Sequence, residues 1–238
     1  MNRKRSLGQR RLLACTIAAS LWCAVGSSVS PLLVQARPLG APPGNHRSGA
    51  VRGACFNPDR NKVLTALVDE SDPALTTQGN PTFLFYLPFD KNSFRSPNGL
   101  EYSVATAEFQ LQDENNNSVL KHQKLVYFLP DKPGLVKITL PETEAPLELD
   151  KEYFWSFTII CNPNDDNSSN PSVSGWIKRV KPNSSANVWF DRLAQLIESR
   201  TNQAVQWTEL LTSLNLQDLS QAAIIELKPK AEKDNGGG

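Results

Sequence analysis

Along KEYFWSFTIICNPNDDN, Lys151 to Asn167, large apolar side chains alternate with smaller or polar ones. Tyr153, Trp155, Phe157, Ile159 and Cys161 share one face of an extended chain; Phe154, Ser156, Thr158, Ile160 and Asn162 share a mixed one. A period of two with one wholly apolar face predicts a half-buried antiparallel strand. The Cys161 thiol then points inward at the strand's end. Shorter runs repeat the theme. Lys62 to Val68, Thr82 to Leu87 (after Asn80-Pro81 and stopped by Pro88), Ser103 to Gln112, Val119 to Leu129, Val136 to Leu140 and Ser172 to Val180 all read as strands. The polar stretch Asp113 to Ser118 makes a hairpin loop between two of them.

The period changes after Pro182. Trp189, Phe190, Leu193, Leu196 and Ile197 fall at i, i+1, i+4, i+7 and i+8, and Trp207, Leu210, Leu211 and Leu214 at i, i+3, i+4 and i+7. Each set marks one face of a short helix, with Ser184 or Ser185 as a cap for the first. One-sided helices pack on the sheets, on each other, or on a partner. Strands without intervening helices, followed by two helices, predict a mainly β fold: an antiparallel, immunoglobulin-like β-sandwich with a C-terminal pair of short helices. Tyr153 sits at the start of a late strand. It serves either to tie its hydroxyl to upstream backbone, as in such sandwiches, or only to pack.

The ends are different in kind. Residues up to Ala36 contain five basic and no acidic side chains, an apolar segment of about 15 residues, too short for a spanning helix, and a small-residue site at Val34-Gln35-Ala36. These are the three parts of a signal peptide. Arg10-Arg11 hints at twin-arginine export, but Ala14 stands where a large apolar residue is wanted; LLAC at Leu12 to Cys15 resembles a lipoprotein box without the hydrophobic segment that should precede it. The expected organisation is a signal peptide at 1–36, a flexible Pro/Gly/Arg-rich arm at 37–53, a β-sandwich domain at 54–182, a helical appendage at 183–227 packed on the sandwich, and a disordered tail at 228–238.

Cleavage at Ala36 changes the charge and the thiol count. Lys plus Arg falls from 25 to 20 against 24 acids, so the net charge moves from +1 to −4. A mildly acidic surface argues against nucleic acid and anionic lipid as partners, and no stable membrane insertion is expected after cleavage. Cys15 and Cys23 leave with the leader, and Cys55 and Cys161 remain. In an oxidising compartment two buried cysteines generally pair, closing a loop worth about 4.7 kcal/mol in the chain-entropy account. The alternative is a pair of independent thiols.

Chemistry has little to build on. His46 falls in the arm and His122 in a hairpin strand beside Lys121 and Lys124, so neither reads as a positioned base, and no GxSxG elbow occurs. Two cysteines and two histidines at these spacings make no closed zinc set, and a chain without methionine after the leader is a poor copper site. Asp165 and Asp166 lie in an Asn/Ser-rich loop that lacks the spaced carboxylates of a calcium site. No metal or cofactor is expected. Phe83, Phe85, Tyr86, Phe89, Trp155, Trp176 and Trp189 serve either as core or as a platform for a glycan or protein. Trp176, sharing a face with Ser174 and Lys178, is the candidate surface aromatic, expected to be partly exposed.

Several runs in order resemble a known family: RGAC at Arg52, LTALVDE at Leu64, NPTFLFYLPF at Asn80, AEFQLQDE at Ala107, PGLVKITLP at Pro133, YFWSFTIICNP at Tyr153, SGWIKRV at Ser174 and VWFDRL at Val188. They are similar to secreted cyanobacterial proteins catalogued as domain of unknown function 928, over about Val51 to Ala223. The resemblance implies an exported protein with a β-rich domain and a helical end, and assigns no catalytic or binding residue. The functional expectation is an exported, non-catalytic binding module of the cell envelope, with an envelope protein or a glycan as partner. The alternatives are an envelope hydrolase assembled from distant residues and a purely structural envelope protein.

Overall fold

In the computed structural model the Tyr153–Ile159 alternation becomes the central strand of a sheet. The structure describes residues 43–48, 62–69, 71–89, 106–161, 170–182 and 187–230, all within one unit, Arg37–Gly238. Among them are strands β1 (Thr65–Ala66), β2 (Ala74–Thr76), β3 (Thr82–Leu87), β4 (Thr106–Gln112), β5 (Leu125–Phe128), β6 (Gly134–Thr139), β7 (Glu152–Ile160), β8 (Ser172–Arg179) and β9 (Ile224–Glu226). Helices α1 (Trp189–Ser199) and α2 (Ala204–Ser213) lie between β8 and β9. The expected leader, Cys55, the 162–169 loop with its two aspartates, and Ser184 and Ser185 fall outside the described residues. Among the described residues, α1 follows Val188, which supplies no side-chain cap, and no helix is long and apolar enough to cross a membrane.

The strands form two sheets, ordered β1-β3-β6-β9 and β2-β8-β7-β4-β5. Their apolar faces meet. Phe83 and Phe85 of β3 pack against Phe109 of β4 (4.9 Å from Phe83), Trp155 of β7 (5.7 and 6.0 Å) and Phe157 of β7 (4.2 Å from Phe85). Rings at these separations in tilted or offset arrangements combine a large buried area with a favourable quadrupole contact. The inward set of β7 named from the sequence is buried, and Ile160 of the other face is buried with it.

The expectation of purely antiparallel sheets is corrected. β2 runs parallel to β8, and β9 parallel to β6. Both parallel partners are remote in sequence, so no hairpin pattern announces them, and parallel neighbours require long connections of the kind found here. One local feature of the expectation is present: the Tyr153 hydroxyl accepts the Glu148 N–H at 3.0 Å, five residues upstream. The Val119–Leu129 run is only half strand; its first part turns at Gln123, which adopts φ 62°, before β5.

The four-stranded sheet is buried on both sides. Leu84 and Tyr86 on the outer face of β3, with Leu67 and Leu135, lie beneath Leu193, Ile197, Trp207 and Leu211 of the helices. Helix α1 also enters the space between the sheets: Phe190 meets Phe83 edge-on at 5.0 Å, and Trp189 donates its indole N–H to Leu67 O at 3.1 Å. The helical region is therefore a third layer that completes the core.

The described parts of the expected arm and tail, residues 43–48 and 228–230, are tied to the sheets. In the arm, Asn45 exchanges two 2.8 Å backbone hydrogen bonds with Ser174 of β8, Ala66 of β1 donates to His46 O (2.8 Å), and Ser48 donates to Leu64 O (2.9 Å). Residues 43–48 thus strap one sheet to the other. At the far end, after β9, Leu227 donates to Lys137 O (2.9 Å) and Lys230 to Val126 O of β5 (2.6 Å). The start of the supposed tail is a second strap. Backbone groups along strand edges need partners or cover, and the two straps supply them.

Candidate functional site

Among the described residues a pocket lies between α1 and α2, and its geometry follows from how each helix is anchored. Asp191 in the first turn of α1 accepts from Thr76 Oγ1 (2.6 Å), Thr77 N (3.0 Å) and Thr77 Oγ1. A carboxylate at a helix start is favoured by the helix dipole, and here it also joins the helix to the end of β2. The chain reverses over Arg200 to Gln203, where Asn202 and Gln203 both donate to Ser199 O. On α2, Trp207 is 2% exposed and donates its indole N–H to Ser220 O at 3.0 Å, while Leu211 is fully buried. Each helix thus commits one face to the sheet. The flank between them is left as a trough of about 600 Å³ that begins at Val68 and Asp69.

The trough has an apolar floor and a polar rim. Leu196, Leu210 and Leu214 are partly buried in it, with Leu193 and Val68 beneath. Trp189 is 6% exposed, and the Arg192 guanidinium lies 5.0 Å from its ring centroid, a cation–π contact that covers the indole face. Gln195, Gln203, Gln206, Glu209 and Ser213 complete the rim, with Ser213 donating to Leu210 O at 2.7 Å. Among the described residues the side chains of the three glutamines and Glu209 make no hydrogen bond or ion pair, and Arg192 lies on Trp189 and is in no ion pair. Asp69, by contrast, is spent on Ser71 and on Asn187 (3.2 Å). A site of this size, apolar with a few unspent polar groups, is suited to holding a ligand.

The residues singled out from the sequence lie elsewhere. Trp176 is 3% exposed, not partly exposed: Phe154, its cross-strand neighbour, packs on it at 5.2 Å. It is withdrawn as a surface aromatic. Phe83, Phe85, Phe89 and Trp155 are core, each at most 1% exposed. Cys161 is buried at the end of β7, 1% exposed; Cys55 lies outside the described residues. His122 is exposed in the turn before β5 and does not line the trough.

His46 is held, contrary to its assignment to a flexible arm. Its ring stacks on Trp155 (6.4 Å, 11° between planes) in a slot floored by Gly44 and Gly175. Burial lowers its pKa below the ordinary 6.5, partly offset by Asp72 and Asp69. It too is absent from the trough. What sequence reasoning missed is the trough's rim. Its glutamines, Arg192 and Glu209 read as the solvated sides of two amphipathic helices, and only the helix pairing brings them together.

A family model described as a domain of unknown function, DUF928, matches residues 47–187. The chain belongs to the DUF928 family. No curated protein matches it, and no solved structure does. The DUF928 match stops just before α1, so the trough's helices lie beyond it, while Val68 and Asp69 lie within it.

Proposed function

We propose that this DUF928 chain is an exported, non-catalytic binding module of the cell envelope, with the trough between α1 and α2 as its binding face. The observation that carries this reading is the trough itself. It is open and apolar-floored, its three glutamines and Glu209 are unspent, and among the described residues its lining contains no histidine or cysteine, while its one hydroxyl, Ser213, donates to Leu210 O. A carboxylate pair is present in Asp69 and Glu209, but Asp69 is tied to Ser71 and Asn187.

Export is supported by the basic, apolar and small-residue parts of 1–36, and the family's secreted, cyanobacterial character by the resemblance of its ordered runs. A Cys55–Cys161 disulfide is supported by the burial of Cys161 at a strand end. The Tyr153 tie to Glu148 supports an immunoglobulin-like origin for the sheets.

The test uses the full chain immobilised against envelope extract, with protein and glycan fractions both analysed, alongside Leu210→Arg. The expected result is retention of an envelope component by the native chain and its loss in the variant at unchanged circular dichroism. Turnover in a broad hydrolase screen, abolished by His46→Ala or His122→Ala, would instead establish an enzyme.

A further inference from the structure

We infer that the trough takes short apolar peptides with free termini, an inference that rests on reading the trough as the binding face. Three independent features of its lining converge on that chemistry. The floor of Leu196, Leu210 and Leu214 accepts aliphatic side chains. Around it, Gln195 on α1, Gln203 just before α2 and Gln206 on α2 each offer an amide donor and an amide acceptor unspent among the described residues. A peptide backbone presents the same pair of groups in the opposite sense, so a glutamine side chain meets both at once. The third feature is charge. Arg192 on one helix has no carboxylate partner, and Glu209 on the other has no cation partner, among the described residues. Opposite charges, neither of them in an ion pair, flank one trough and match a zwitterion: the peptide carboxylate at Arg192, which keeps its N–H edge for bidentate pairing while its face lies on Trp189, and the ammonium at Glu209.

Other ligand classes satisfy fewer of these features. A fatty acid uses the floor and Arg192 and leaves the carboxylate and amides unused. A glycan wants an open aromatic face, and the Trp189 face is covered by Arg192. Nucleic acid would meet one cation and two carboxylates.

The probe is trileucine, with its N-acetylated and C-amidated forms, titrated into the full chain while the methyl signals of Leu196 and Leu210 are followed by NMR. Both charged groups are exposed, so each terminal contact is worth only about a threefold change in affinity. N-acetylation is expected to weaken binding about threefold to the native chain and to leave Glu209→Gln unaffected; C-amidation should behave likewise with Arg192→Gln. The loss of each effect in its own variant locates each terminus, which a general weakening by misfolding would not imitate. Equal binding of free and blocked peptides overturns the inference. So does a trough that ignores trileucine yet responds to dodecanoate or cellotriose, an outcome that leaves it a binding face for another ligand. If none of these probes moves the two methyl signals, the peptide inference is overturned and the binding-face reading loses its support.

Discussion

Gly175 faces Trp155 directly across the β7–β8 ladder. A Cβ added to Gly175 would stand 2.7 Å from Trp155 Cζ2, 3.1 Å from Trp155 Cε2 and 3.1 Å from His46 Nε2. Glycine to alanine within a strand ordinarily adds stability, about 0.5–1 kcal/mol, by reducing backbone freedom in the unfolded chain. Here the sign reverses. The indole is fully buried and wedged against Phe83 and Phe85, so it cannot swing aside as an exposed side chain would. Overpacking a rigid site costs about 1–3 kcal/mol, and an approach of 2.7 Å to a buried ring belongs at the upper end, so after the backbone gain Gly175→Ala is left destabilised by about 2 kcal/mol. For a domain of this size that is about 4–8 °C in Tm. The measurement is urea unfolding followed by tryptophan fluorescence, with an unchanged m-value required. Gly175→Ala/Trp155→Phe supplies the control: the smaller ring makes room, so the added cost of the alanine should shrink below about 1 kcal/mol. An alanine variant as stable as the native chain, or more so, would show that the strap, His46 and Trp155 are not packed as described.

Three further outcomes follow from the same contacts. Asp191→Ala leaves Thr76, Thr77 and the Thr77 N–H without their acceptor and should cost about 2 kcal/mol in urea unfolding, while Asp191→Asn, which keeps one acceptor oxygen, costs less. Because the folded-state pKa of His46 is depressed, its contribution to stability is complete above pH 6.5 and is lost as pH falls below that value toward the folded pKa; unfolding midpoints measured from pH 8 to pH 5 should decline, and His46→Gln should flatten that decline. Ending the chain after Ala223 removes β9 and the second strap and bares the edges of β6 and β5; size-exclusion chromatography with light scattering should then show concentration-dependent association.

How much of this was legible depends on whether a residue's partner lies near it in sequence. β3 was read at its full length, Thr82–Leu87, because proline bounds it and apolar residues fill it. Its lack of alternation also held an unused clue, since apolar residues on both faces mark a strand covered on both sides. The helices were legible from their period. β2, at three residues, and β9, also three, carry no pattern of their own and exist as strands only because β8 and β6 offer free edges. His46 was assigned to a flexible arm because Pro and Gly surround it. Gly44 is there for another reason: it lets the backbone approach Gly175, whose Cα would lie 3.2 Å from an added Cβ. Trp176 was misjudged because its strand face is polar in sequence, whereas its cover comes from Phe154 on the neighbouring strand.

The matched family region and the physical folding unit do not coincide. Residues 47–187 include every described strand except β9 but omit Asn45 and His46 of the first strap, both helices and the second strap. Without α1, Phe83 loses Phe190 from the core between the sheets, and the Leu67 carbonyl loses the Trp189 indole. Without the two helices together, Leu84, Tyr86 and Leu135 lose the cover of Leu193, Ile197, Trp207 and Leu211 and face outward as one apolar surface. Exposure on that scale is what soluble monomers avoid. The helices are therefore needed to bury the back of β3, and the trough arises because two cylinders on a sheet do not close the space along their shared flank. Stability fixes where the helices lie. Their outward residues contribute little to it, which leaves Gln195, Gln203, Gln206 and Glu209 free to meet the ligand proposed for the trough.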